Sequence, residues 1–78
     1  MKNKIIIKKI IDNFLIKKEG KSILQNIEKK NLIKDGLIDS LDVLFLASEI
    51  AKKTKKKINI SQSKNFNKFK KYKDLINI

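Results

Sequence analysis

Cysteine, histidine, proline, tryptophan and arginine are all missing from this chain of 78 residues, and glycine occurs only twice. Each gap removes a class of chemistry. Without cysteine there is no disulfide framework and no thiolate metal site, and without histidine the commonest metal ligand is gone as well. Thiol–imidazole and serine–imidazole nucleophile systems cannot be built either. A serine–lysine pair remains formally open, but so short a chain has little means of walling off an active site, and the expectation is that it is not an enzyme. With no disulfides to form, a reduced, cytoplasmic setting is the default.

Lysine dominates what is present. All 20 basic residues are lysines, against 8 acidic ones, for a formal net charge of +12. Such a surplus raises the possibility of nucleic acid or an anionic membrane surface as partner. Arginine is the residue that forks onto guanine edges and phosphates, so a specific reader of nucleic acid is not expected from a chain that lacks it. The lysines are spread along the chain rather than focused, as a solvated surface would have them. Apolar runs fall well short of the roughly 18 residues that a membrane span needs, and the basic, apolar start is interrupted by Lys8, Lys9 and Asp12 with no small-residue cleavage site after it.

Length allows one domain, residues 1–78, with a core held by apolar packing alone. From Lys2 to about Lys18, Ile6, Ile7, Ile10, Ile11, Phe14 and Leu15 recur at three- and four-residue spacing, which predicts an amphipathic helix stopped by Gly20. Lys21 to Asp39 has no strong period. A short helical turn around Ile23, Leu24 and Ile27 is expected there, then a long connection pinned by Leu32, Ile33, Leu37 and Ile38 and turning at Asp35-Gly36. A second helix starts near Ser40, with Asp39 or Ser40 as its cap and Asp42 in the first turn, and runs to about Lys53. Beyond the lysine run, Ser61 or Ser63 is expected to cap a short helix, and Phe69, Tyr72, Leu75 and Ile76 predict a terminal one. The fold class is all-α, a small bundle of two longer helices, a short piece and a terminal helix.

One stretch breaks the lysine–isoleucine–asparagine pattern: KDGLIDSLDVLFL, Lys34 to Leu46, sets two carboxylates around one serine just ahead of an apolar run. A serine at the start of a helix is a good attachment point for a phosphate, because it faces the unpaired amides and the positive end of the helix. It is equally the commonest helix cap. Asp39 and Asp42 complement the helix dipole on the simple reading and offer docking charges on the other. Leu41 and Phe45 are either core or docking surface, and Glu49 is a solvated helix charge.

At GLIDSLDVLFLASEI, Gly36 to Ile50, the chain resembles the acyl carrier proteins and related acyl and peptidyl carrier domains, whose hallmark is Asp-Ser-Leu followed by an acidic residue and an apolar helix. Less specifically, the first helix, the long first loop, the INI after the second helix and the final YKDLINI also have counterparts in that family. The resemblance implies a four-helix acyl-carrier-like bundle with a long first loop and a short third helix. It implies that Ser40 receives 4'-phosphopantetheine from coenzyme A through a phosphopantetheinyl transferase. The arm would hold acyl intermediates as thioesters and present them to acyl-loading and acyl-using enzymes, the chain working as a monomer. Asp39, Leu41, Asp42, Phe45 and Glu49 become the partner contacts. Phe45 stands where the family often has Glu, and Ala51, Lys52 and Lys53 lie near its usual acidic cluster. That departure implies a specialised pathway rather than bulk fatty-acid synthesis. The alternative is a small basic helical module that binds nucleic acid or anionic membrane surfaces.

Overall fold

Ile7, Ile11 and Leu15 lie four residues apart and are fully buried, so a single stripe of α1 (Lys2–Glu19) faces inward. The computed structural model describes residues 2–78. Ile10 and Phe14 sit at the edge of that stripe and are half-buried. The helix stops at Gly20, whose φ of 93° suits a residue without a Cβ, and the Gly20 amide closes the last turn on the Ile16 carbonyl at 2.7 Å. Lys17 and Lys18 in the last turn suit the negative end of the helix.

The segment that follows is more ordered than its sequence promises. Lys21–Lys29 forms 3₁₀ turns with a kink at Asn26, where a short helical turn was expected, and it buries Ile27. Leu32 then fixes the connection. Its side chain is fully buried, its amide donates to the Lys70 carbonyl at 2.6 Å, and its carbonyl accepts from both Leu37 and Ile38 at 2.9 Å. Asn31 Oδ1 accepts from the Ile33 and Lys34 amides while Asp35 Oδ2 accepts from the Asn31 amide, so side chains satisfy the turn. Gly36, at φ 78°, completes it. Leu37 and Ile38 are buried directly before α2 (Ser40–Thr54), which holds that helix's start against the core.

α2 turns Val43, Leu46, Ala47 and Ile50 inward. Two shorter helices finish the chain, α3 (Ser63–Asn67) and α4 (Tyr72–Ile76), with a 3₁₀ turn at Lys68–Lys70 between them. Neither Ser61 nor Ser63 caps α3. Gln62 precedes the helix without a side-chain cap, and the Ser61 hydroxyl donates to Asn59 instead. The terminal helix is shorter than the spacing of Phe69, Tyr72, Leu75 and Ile76 suggests. All four are buried, but Lys71 is extended (φ −120°, ψ 136°) because its backbone bridges to Asn31.

Tyr72 ties α4 to α1: its hydroxyl donates to Asp12 at 2.6 Å, and Lys8 donates to the other Asp12 oxygen at 2.7 Å. Burial first, then the bond to Asp12, pushes the Tyr72 hydroxyl above its ordinary pKa, and the Asp12 carboxylate raises that of Lys8. The buried apolar residues form one cluster. The radius of gyration is 11.5 Å, equal to the roughly 11.5 Å expected of one folded unit of this length. The described residues are therefore a mostly helical body with no strand, and none of its helices is long and apolar enough to cross a membrane.

Candidate functional site

The start of α2 is held by two carboxylates that cap it together. Asp39 is extended (φ −115°, ψ −175°), and its Oδ1 accepts from the Asp42 amide at 2.9 Å, while Asp42 Oδ2 accepts from the Asp39 amide at 3.1 Å. This is a capping box, with Asp in place of the usual Glu at its far corner. Of the two residues the sequence offered as cap, Asp39 takes the role. Ser40 is the first helical residue, exposed, and its hydroxyl is not spent on the cap. The first intrahelical bond comes from Val43 to the Asp39 carbonyl. With Asp42 already paired to Asp39, the Ser40 and Leu41 amides remain as the open donors of the first turn.

Asp42 reaches further. Lys18, at the end of α1, donates to Asp42 Oδ2 at 2.5 Å, which bonds the start of one long helix to the end of the other. Burial works to raise the Asp42 pKa, but the bonds from Lys18 and the Asp39 backbone outweigh it and hold the carboxyl below its ordinary 3.8. Lys18 is 24 residues away and carries no sequence signal for this role.

Early in α2 the solvent side is largely apolar. Leu41 is 73% exposed, Leu44 53% and Phe45 52%, enough to settle Phe45 as surface rather than core. Leu41, Phe45 and Glu49 succeed one another at four-residue intervals along one flank. The Phe45 ring rests on Phe14 of α1, with centroids 5.7 Å apart and the planes tilted by 32°. Phe14, which the sequence put on the apolar face of the first helix, therefore divides its surface between core and site. Glu49 is half-buried beside Lys52 at 3.7 Å. Leu44 escaped sequence reasoning because an apolar residue inside an apolar run has nothing to mark it as outward-facing.

Among the described residues no cluster of His, Cys, Asp and Glu could hold a metal ion. What the site does supply is an exposed hydroxyl, two open amides and an exposed apolar flank at Leu41 and Phe45. Family models, curated proteins and solved structures yield no match to this chain.

Proposed function

We propose that this chain is an acyl carrier protein whose Ser40 carries a 4'-phosphopantetheine arm. One observation carries the reading: Asp39 caps α2 and leaves the neighbouring Ser40 hydroxyl exposed at the helix's positive end. A serine kept for capping would be consumed there, and this one is not. In attachment, Ser40 Oγ forms a bond to the phosphorus next to the pantetheine of coenzyme A, adenosine 3',5'-bisphosphate leaves, and the hydroxyl proton passes to a base on the transferase. The Ser40 and Leu41 amides then face the new phosphodiester. Once attached, the arm's thiol supplies the thioester chemistry that a chain without cysteine lacks.

On this reading α1 to α4 make up the four-helix carrier bundle, with Lys21–Asp39 as the long first loop and α3 as the short third helix. The chain works in the cytoplasm as a monomer, and catalysis belongs to the transferase and to the acyl-loading and acyl-using enzymes. A specialised pathway fits the face that α2 presents. Of its two acidic residues, Asp42 is engaged by Lys18 and Glu49 lies half-buried beside Lys52. A fatty-acid synthase reconstituted with this protein is expected to elongate far more slowly than with an acidic carrier, and equal rates would remove the specialised pathway from the proposal.

Attachment is tested by intact mass after incubation with coenzyme A, magnesium and a broad-specificity phosphopantetheinyl transferase. The expected result is a gain of one phosphopantetheine in the parent and none in Ser40→Ala. A parent that stays unmodified while the same transferase loads another carrier, and also after transferases of other specificities are tried, would overturn the reading in favour of a basic binding module.

A further inference from the structure

α1 and α2 run antiparallel where they meet: Lys18 pairs with Asp42, Phe14 stacks on Phe45, and Ile10 lies opposite Glu49 and Lys53. Between them is an open groove of about 440 Å³, lined by Ile10, Phe14 and Lys17 on the α1 side and by Phe45, Glu49 and Lys53 on the α2 side. Lys17 and Lys53 form no ion pair among the described residues, whereas Lys18 and Lys52 each have a carboxylate. From the level of Asp42 to Lys53 the rise along α2 is roughly 16 Å, or three helical turns. The groove thus has two aromatic rings, Lys17 towards one end and Lys53 at the other, with the Glu49 carboxylate, held by Lys52, on the α2 wall between Phe45 and Lys53, and Ser40 lies just beyond the Lys17 end.

We propose that this groove is a docking site for an acidic amphipathic helix of a partner protein. The partner's apolar side chains lie over Phe14 and Phe45, and carboxylates about three turns apart meet Lys17 and Lys53. A concave trough between two helices suits a helix better than a flat lipid surface. A second copy of the chain would bring the same positive charge against this one, and nucleic acid gains little from two separated lysines without arginine. The proposal rests on the carrier reading for its purpose, since a partner seated here is beside the arm on Ser40. Binding itself does not require the arm.

The test uses the unmodified protein and two synthetic amphipathic helices as long as α2, with identical leucine faces flanked by glutamates in one and by lysines in the other. Affinity is measured by calorimetry and location by NMR of the Phe14 and Phe45 rings. The glutamate-flanked helix is expected to bind at least about tenfold tighter and to shift both rings. Lys17→Glu/Lys53→Glu should reverse that preference, while Lys64→Glu/Lys73→Glu, with the same net charge but outside the groove, should preserve it. All four lysines lie on the surface, and a thermal melt confirms folding. Four results overturn the proposal: no binding by either helix, equal losses in the two double variants (bulk charge alone), ring shifts produced only by phosphatidylglycerol vesicles, or ring shifts that track protein concentration as dimerisation would. Ser40→Ala carries the same titration. A parent protein that no transferase loads, with the preference intact, removes the carrier reading and leaves the groove. Loading without the preference removes the groove alone.

Discussion

Leu32→Ala is expected to destabilise the protein by about 3–4 kcal/mol, at least a quarter of what a domain of this size possesses. A fully buried leucine truncated to alanine loses its transfer energy and leaves a cavity, which together cost about 2–5 kcal/mol. Leu32 belongs away from the low end of that range because the site cannot collapse easily. Its backbone is held on both sides, by the Lys70 carbonyl through its amide and by Leu37 and Ile38 through its carbonyl. At about 0.05–0.15 kcal/mol per residue, the whole chain is stable by about 4–12 kcal/mol. With about 4–8 °C lost per kcal/mol, the thermal midpoint should fall by at least about 12 °C. Leu44→Ala is the matched control, the same chemical change on a side chain that is 53% exposed, and it should alter stability by no more than about 0.5 kcal/mol. Chemical denaturation of both variants decides the matter; similar losses at the two positions would mean that Leu32 is not the residue that anchors the loop. The loop matters to function because Leu37 and Ile38 end directly before Asp39 and Ser40.

How far the sequence reveals this molecule depends on the range of the interaction concerned. α1 was legible to within a residue because its face is written in local spacing, from Ile7 to Ile11 to Leu15, and because Gly20 meets a need for positive φ that few other residues meet cheaply. The start of α2 was legible for the same reason, although spacing could not decide between Asp39 and Ser40 as cap; that depended on which side chain reached the Asp42 amide. The 3₁₀ turns of Lys21–Lys29 were barely visible, since they repeat at a period that a helical reading does not seek. Interactions across the chain left no trace at all. Lys71 leaves the helical conformation to bridge Asn31, and so a continuous apolar period from Phe69 to Ile76 belongs to two short elements rather than one. Within the candidate site, Ser40 and its neighbours were named from sequence, but Lys18, Phe14 and Lys17 joined them only through the packing of α1 on α2.

Asp42→Ala is expected to cost about 1–2 kcal/mol at neutral pH, and the loss should fade in acid. Asp42 does three things at once: it closes the capping box on the Asp39 amide, it places a negative charge in the first turn of α2, and it accepts from Lys18. The first two are each worth up to about 1 kcal/mol. The ion pair adds little more, because Lys18 is about a third exposed and water screens it. The folded protein holds the Asp42 carboxyl below its ordinary 3.8, so folding favours the charged form. Its stabilisation is therefore complete above the unfolded value near 3.8 and is lost as the pH falls through the lower, folded value. Other carboxylates titrate over the same range, so the informative quantity is the difference in unfolding free energy between parent and variant. That difference should be constant from about pH 7 to pH 5 and should shrink below about pH 4. A gap that persists unchanged to pH 2 would show that the charge on Asp42 contributes nothing and that its bond to the Asp39 amide survives protonation. A gap that closes on acidification would establish the charged capping box as what fixes the first turn of α2, and with it the position of the Ser40 hydroxyl.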